Sequence, residues 1–163
     1  MTVDVVLRAL RADEVEHVRW ALFEAVAWDP ERELPPFELT IEHPELARYH
    51  REWGRAGDLG VVAVRGDEVV GVALARLFTE DDHGHGYVDD ATPELAVAVA
   101  DAARGNGLGT RLLNELAATA RDAGIQRLSL SVDSENPALR LYERLGYREL
   151  ARDEDGVRMV LDL

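Results

Sequence analysis

The sequence predicts an α/β protein in which a central mixed β-sheet (an α+β mixed sheet) is flanked by helices. Two observations predict this class. Short apolar segments with strand-like alternation, such as 128–132, are interspersed with segments of helical periodicity, such as 108–123. The chain has 163 residues, 47% of them hydrophobic, which is enough for one compact domain. We therefore expect a single domain over residues 1–163.

Each predicted element rests on one of the two periodicities and on the residues that end it. Strands are expected at residues 3–7, 59–64, 69–78, 95–100, 128–132, 147–152 and 157–163. Helices are expected at residues 13–26, 44–53, 108–123 and 137–145. Asp13 is expected to cap the first helix, because Glu16 follows at the capping-box spacing. The three prolines before Pro44 predict a loop between the first two helices, since proline has no backbone donor.

The composition excludes several classes of function. The chain has no cysteine, which excludes disulfide scaffolds, thiolate catalysis and zinc–thiolate sites. No apolar run is long enough to span a membrane, and residues 1–11 lack the apolar core of a signal peptide, so we expect a cytoplasmic protein. The net charge of −14 predicts neither a nucleic-acid nor a membrane partner, because such binding depends on neutralising phosphates.

The charge is unevenly distributed along the chain. Residues 1–103 contain 9 arginines and 22 acidic residues, a net charge of −13, whereas residues 104–148 contain 7 and 5, a net charge of +2. One interpretation is an ordinary solvated acidic surface. The other interpretation is functional: residues 104–148 could accommodate an anion, and the acidic residues 1–103 would suit a cationic substrate.

The most informative segment is a glycine-rich turn between a predicted strand and the long predicted helix, Arg104-Gly105-Asn106-Gly107-Leu108-Gly109-Thr110. Glycines let the backbone turn tightly and approach a ligand, and the helix start directs N–H groups at the same place. This combination is typical of a phosphate or pyrophosphate site. Thr110 stands where a dinucleotide fingerprint needs its last glycine, and the chain has no lysine for a Walker-type loop. The alternative is a turn that serves packing alone.

These residues resemble the GNAT superfamily of N-acetyltransferases. The family's acetyl-CoA motif, Arg/Gln-x-x-Gly-x-Gly/Ala, is matched by Arg104, Gly107 and Gly109. Residues 94–99 look like the family's fourth strand, and residues 136–147 are similar to its second motif. The resemblance implies a GNAT fold and transfer of an acetyl group from acetyl-CoA, as co-substrate, to a primary amine, without a metal.

The resemblance also implies where the cofactor binds. In such proteins the fourth and fifth strands splay apart and the pantetheine arm pairs with the fourth, which implies backbone contacts at Val97, Ala98 and Val99. The phosphates would lie at Arg104, Gly105, Asn106, Gly107, Leu108, Gly109 and Thr110. The family often places an asparagine seven residues before the motif tyrosine, but Asn136 stands six before Tyr142. Asn136 is therefore expected either to contact the cofactor or to cap the helix.

Two side chains are candidates for proton transfer. Tyr142 matches the family's general acid, which would protonate the departing thiolate. Alternatively, Tyr142 is an aromatic residue that only packs in the core. The resemblance implies that Glu94, at the start of the fourth strand, lies near the thioester, which makes it the candidate base, acting on the amine directly or through a water. Alternatively, Glu94 is a solvated charge before the strand. His83 and His85 are expected to lie in a solvated loop rather than to bind metal.

The acceptor is left open by the sequence: a small amine, an antibiotic or a protein N-terminus all fit. A cationic acceptor is favoured by the acidic residues 1–103. The rival hypothesis is a catalytically silent acyl-CoA-binding or sensor domain that keeps the phosphate site. A homodimer is one of the oligomeric states that the sequence allows.

Overall fold

The computed structural model describes residues 3–163, which form a seven-stranded mixed sheet with five α-helices. The strands are β1 (Val5–Ala9), β2 (Leu59–Arg65), β3 (Glu68–Arg76), β4 (Glu94–Val99), β5 (Arg127–Val132), β6 (Arg148–Asp153) and β7 (Gly156–Asp162). The helices are α1 (Val15–Val26), α2 (Phe37–Ile41), α3 (Pro44–His50), α4 (Leu108–Asp122) and α5 (Ala138–Arg144), and one 3-10 turn, Asp101–Ala103, follows β4. The predicted α/β class with a central mixed sheet is confirmed.

The strand order brings β4 and β5 together in the middle of the sheet. The order is β1-β2-β3-β4-β5-β7-β6. All neighbouring strands are antiparallel except β4 and β5, which are parallel and are connected through α4. A parallel pair needs such a crossover connection, because a hairpin turn can join only antiparallel strands. The chain that follows β4 therefore leads into α4 before it returns to the sheet.

The two faces of the sheet are covered by different helices. Alternation along β4 directs Leu95, Val97 and Val99 to the face that packs against α4 and α5. Ala96 and Ala98 lie on the opposite face, which packs against α1, α2 and α3. We call these the α4 face and the α1 face.

Helix α4 forms where its sequence has the strongest apolar stripe. Leu112 and Leu116 are fully buried against the sheet, and replacing such a leucine with alanine typically costs about 2–5 kcal/mol of stability. The helix ends before Gly124, which has a φ of +82° and so takes the left-handed conformation that commonly closes a helix. No helix within residues 3–163 is both long and apolar enough to cross a membrane.

The start of α1 differs from the sequence prediction. The helix begins after Glu14, and Asp13 makes no capping bond to it. Glu14 instead accepts hydrogen bonds from Arg8 at 2.8 and 2.9 Å and from the Arg11 N–H at 2.8 Å. The capping-box interpretation was therefore wrong, because the β1 arginine recruits the neighbouring carboxylate into a partly buried ion pair.

The second helical region also differs. A five-residue helix, α2, precedes α3 and was not predicted; Pro36 stands at its N-cap. Helix α3 begins at Pro44 as expected but ends at His50 rather than reaching Trp53. The reason lies in β3: the Arg76 side chain donates to the carbonyls of Arg48 and Arg51 at 3.0 and 2.6 Å, which satisfies the helix end without a further turn.

Candidate active site

Strands β4 and β5 pair at one position and then diverge. Glu94 and Ser129 are the registered partners, and the Ser129 N–H donates to the Pro93 carbonyl at 2.9 Å. Beyond this point no β4–β5 register continues within the described residues 3–163. The sheet therefore has a central opening that begins at Glu94 and widens toward the carboxyl ends of both strands. We call it the β4–β5 opening.

The backbone of β4 presents polar groups to this opening. The Ala100 N–H donates to the Val70 carbonyl at 2.9 Å, so the N–H and C=O groups of the even-numbered residues face β3. By the same alternation, those of Val97 and Val99 face the opening. The backbone groups of Ala98 face β3, so any ligand contact from Ala98 would come through its methyl group. The Val99 carbonyl accepts a hydrogen bond from Nε of Arg104 at 3.1 Å.

The glycine turn, residues 104–110, lies at the end of this opening where α4 begins. Gly105 and Gly107 have φ values of +84° and +77°, a left-handed conformation that only glycine adopts easily. A Cβ built on either residue meets no protein atom within 4 Å, so the space beside both is open. Gly107 is the N-cap of α4, and the unpaired N–H groups of the first helical turn follow it. The turn is therefore built to receive an anion.

The remaining residues of the turn have different surroundings. Leu108 is buried in the core of the α4 face. A Cβ on Gly109 would lie 3.4 Å from Leu141, so this glycine lets α4 and α5 approach each other. Arg104 is half-exposed and forms an ion pair with Asp101 at 3.1 Å. Asn106 is exposed and Thr110 is partly buried.

Glu94 is almost completely buried on the α1 face. The Tyr49 hydroxyl donates to its Oε2 atom, and the Gly86 N–H donates to its Oε1 atom at 3.1 Å. Burial raises the pKa of the Glu94 carboxyl above its usual value, and the two hydrogen bonds lower the pKa by less than burial raises it. A carboxyl with a raised pKa is better matched to proton abstraction near neutral pH than an ordinary one.

Tyr142 lies on α5 and is buried in the core of the α4 face. Its ring packs edge-on against Tyr147, with ring centroids 5.6 Å apart. Within the described part of the chain its hydroxyl has no hydrogen-bond partner among the side chains or backbone groups. Burial raises the pKa of the Tyr142 phenol above its ordinary value, so the phenol stays protonated at neutral pH.

Asn136 stands at the start of α5. Its Oδ1 atom accepts a hydrogen bond from the Ala138 N–H at 2.9 Å, which is the bond of a helix-capping side chain. The bond is of the kind that the capping alternative predicts, although Pro137 is the N-cap residue of α5, and a contact to the cofactor stays a prediction.

A family model decides the classification of this chain. The model for the Acetyltransferase (GNAT) family matches residues 19–147, most of the sequence. The chain belongs to the GNAT acetyltransferase family. Membership of this family supports acetyl-group transfer from acetyl-CoA.

Solved structures of GNAT proteins share the fold over almost their entire length. PaiA N-acetyltransferase from Thermoplasma acidophilum, in complex with coenzyme A, is 16% identical, with a TM-score of 0.72 and coverage of 98% of this chain and 99% of that one. Ribosomal-protein-alanine N-acetyltransferase from Brucella melitensis is 24% identical, with a TM-score of 0.67 and coverage of 97% and 99%. An acetyltransferase from Thermus thermophilus is 20% identical, with a TM-score of 0.68 and complete coverage of both chains at 100%. At these identities the likeness establishes the fold.

A small cavity of about 30 Å³ lies between the β3–β4 loop and the β6–β7 turn of this GNAT chain. Its lining includes His85 and Asp155. The His85 ring lies 3.9 Å from Glu45 and 3.8 Å from Asp155, so α3, the β3–β4 loop and the β6–β7 turn converge here. No group of three or more potential metal ligands occurs within residues 3–163.

Sequence reasoning missed three residues that surround the candidate base. Tyr49 was assigned only to the predicted helix at residues 44–53, and Gly84 and Gly86 lie in the predicted solvated loop of His83 and His85. A Cβ on Gly84 would overlap the Tyr49 hydroxyl, and one on Gly86 would lie 2.8 Å from Glu94 and from the Leu130 backbone. The spacing of two glycines eight and ten residues before Glu94 was the available signal, but it does not identify what the loop must approach.

Proposed function

We propose that this GNAT acetyltransferase transfers the acetyl group of acetyl-CoA to a primary amine, with Glu94 as the general base and Tyr142 as the general acid. One observation carries the proposal. Glu94 and Tyr142 lie on opposite faces of the sheet, Glu94 on the α1 face and Tyr142 on the α4 face. The β4–β5 opening, which begins beside Glu94, passes between these two faces. An acceptor that enters from one face and a thiol that leaves toward the other would meet in this opening.

The cofactor would lie along the opening and end at the glycine turn. The main-chain N–H groups at Gly105, Gly107 and Gly109 would bind the pyrophosphate, with Arg104, Asn106, Leu108 and Thr110 completing the turn. The backbone groups of Val97 and Val99 would pair with the pantetheine arm, and Ala98 would contact it through its side chain. Asn136 would add a contact at the start of α5. A Thermoplasma protein of this fold has been solved in complex with coenzyme A, which supports acyl-CoA binding by this chain.

The two side chains divide the proton transfers between them. Acetyl-CoA supplies an activated thioester carbonyl when it is bound. Glu94 accepts a proton from the attacking amine, directly or through a water, so that the nitrogen lone pair is free to form the C–N bond. As the C–S bond breaks, Tyr142 donates its phenolic proton to the departing thiolate. The raised pKa of Glu94 makes this carboxyl a stronger base than an ordinary glutamate, and the Tyr142 phenol is protonated at neutral pH, as a proton donor must be.

We further propose that the acceptor carries a positive charge at neutral pH. Residues 1–103 have a net charge of −13, and carboxylates of α3 and of the β6–β7 turn flank His85, in the loop that passes over Glu94. A field of this sign attracts a cation and raises its encounter rate. The Brucella relative is named as an acetyltransferase of an alanine amino group, which agrees with an amine acceptor.

The experiment is an acceptor screen that measures thiol release from acetyl-CoA. Its arms are polyamines, aminoglycosides, peptides with free N-termini, the same peptides with acetylated N-termini, and neutral amines. We expect turnover with at least one cationic amine and none with the blocked peptides. Tight acetyl-CoA binding without turnover on any amine would contradict the proposal and would favour the silent acyl-CoA-binding alternative.

A further inference from the structure

Tyr49, which has no part in the proposed proton transfers, is a buried tyrosine that directs its hydroxyl at the candidate base. Tyr49 lies on α3 with 9% of its surface exposed, and its ring packs edge-on against Phe78 at 5.0 Å. Its hydroxyl donates to Oε2 of Glu94, 45 residues along the chain. The second carboxylate oxygen is held by the Gly86 N–H. Each oxygen of the buried carboxylate thus has one donor.

The loop that passes over Glu94 is shaped around this contact. Gly84 has no room for a Cβ because the Tyr49 hydroxyl occupies that space. Gly86 has none because Glu94 and the Leu130 backbone lie 2.8 Å from the position a Cβ would take. The hydrogen bond therefore does not arise from a chance rotamer on a surface. Loop and helix both leave space for a tyrosine that reaches the carboxylate.

We propose that Tyr49 is a positioning residue for Glu94, which fixes the orientation of the carboxylate and stabilises its ionised form so that a buried glutamate can accept a proton from the amine. This inference rests on the proposed function. Tyr49 does not itself exchange a proton with the substrate. Its hydroxyl acts through Glu94, as an oriented donor that replaces the water a buried carboxylate has lost.

The other charged groups around Glu94 come from three elements. Arg48 and Glu45 accompany Tyr49 on α3, and their charges oppose each other. His83 and His85 in the loop lower the pKa of Glu94 less than its two hydrogen bonds do. On β3, Arg76 is the cross-strand neighbour of Glu94, but its guanidinium is paired with Asp58 at 2.8 and 2.9 Å. The Tyr49 hydroxyl is thus the strongest polar contact that counteracts burial of the carboxylate.

The test compares Tyr49→Phe with the wild-type protein over a range of pH. Removal of a donor to the charged form should raise the pKa of Glu94, with its proton affinity increasing about tenfold or more, the equivalent of one hydrogen bond to a charged group. The acidic limb of the pH profile of kcat/KM should move to higher pH by about one pH unit or more, which corresponds to the tenfold change in proton affinity. Activity should recover toward the wild-type value at high pH, with little change in the KM for acetyl-CoA. Tyr87→Phe is the matched control, because it removes a tyrosine hydroxyl that bonds Asp90 in the exposed part of the same loop.

A second measurement does not require activity. Carbon-13 NMR of the Glu94 carboxyl, assigned with Glu94→Gln, reports its pKa directly in the wild-type and Tyr49→Phe proteins. An upward displacement of that pKa together with the shifted profile supports the inference. An unchanged carboxyl pKa, or a loss of kcat that is equal at every pH, overturns it and leaves Tyr49 a packing residue. If the wild-type protein acetylates no amine while the carboxyl pKa still moves, the proposed function fails and the Tyr49–Glu94 coupling is supported.

Discussion

We expect Gly107→Ala to have two separable effects. Backbone strain lowers the stability of the fold, and the loss of a ligand contact lowers the affinity for acetyl-CoA. Gly107 has a φ of +77° at the N-cap of α4, and a Cβ there meets no protein atom within 4 Å. The substitution therefore creates no clash within the protein. It imposes only the left-handed penalty of a non-glycine residue, about 1–2 kcal/mol of stability.

The same helix offers a matched control at its other end. Gly124 has a φ of +82°, and a Cβ built on it also meets no atom within 4 Å. Gly124→Ala should therefore lower the free energy of unfolding by a similar amount. Because Gly124 follows the carboxyl end of α4, it lies about 22 Å along the helix from the glycine turn and should not affect the ligand.

The two variants should differ in acetyl-CoA binding. If a phosphate lies beside Gly107, the new methyl group displaces at least one charge-assisted hydrogen bond, worth about 1.5–3 kcal/mol, which corresponds to a roughly 10–150-fold loss of affinity. Isothermal titration calorimetry with acetyl-CoA measures the affinities, and urea unfolding measures the stabilities. Equal affinities of folded Gly107→Ala, Gly124→Ala and wild-type proteins would refute the assignment of the phosphate site.

Three further predictions concern the general acid Tyr142, the charge of the acceptor and the Arg8–Glu14 ion pair. Tyr142→Phe should lower kcat by about 10²–10⁴-fold with little change in the KM for acetyl-CoA, and wild-type kcat in a folded variant would remove Tyr142 from the mechanism. For a cationic acceptor, kcat/KM should fall severalfold between low and physiological salt, whereas a neutral amine of similar size should show little dependence. The Arg8 hydrogen bond lowers the pKa of Glu14 from 4.5 to about 2, so this carboxylate stabilises the fold above pH 4.5 and progressively less as the pH falls toward 2. Glu14→Gln should therefore be less stable than the wild type at pH 7 in urea unfolding, and the difference should narrow below pH 4.5; a constant difference would count against the ion pair.

The sequence predicted those elements whose conformation is specified by residues close together along the chain. The glycine turn and α4 were both predicted, because a left-handed backbone and an apolar stripe are specified within a few residues. Strands β2 and β3 were predicted for the same reason, from the apolar runs at residues 59–64 and 69–78. These elements include the region proposed to bind the cofactor, so that half of the site was accessible from sequence.

Features that depend on contacts between residues far apart in the sequence were not predicted correctly. Asp13 was favoured as the cap of α1 by spacing alone, but Arg8 on β1 selects Glu14 instead. Helix α3 ends early because a β3 arginine binds its carbonyls, and no pattern within residues 44–54 contains that arginine. Glu94 could be singled out only because it begins the strand that resembles the family's fourth strand. Its burial and its tyrosine partner could not be, because both depend on how α3 and the β3–β4 loop pack.

The buried Arg76 explains why the candidate base has a neutral partner. Arg76 and Glu94 are cross-strand neighbours on the α1 face, where an arginine and a glutamate would ordinarily form an ion pair. Asp58 prevents this, because it binds the Arg76 guanidinium in a bidentate pair with both side chains almost fully buried. The remaining guanidinium nitrogen binds the carbonyls at the end of α3, the helix that carries Tyr49. An Arg76–Glu94 ion pair would hold the pKa of Glu94 low and make it a weak base. With Arg76 engaged by Asp58, Glu94 accepts the Tyr49 hydroxyl hydrogen bond instead, and burial holds its pKa above the usual value, which makes the carboxyl a stronger base.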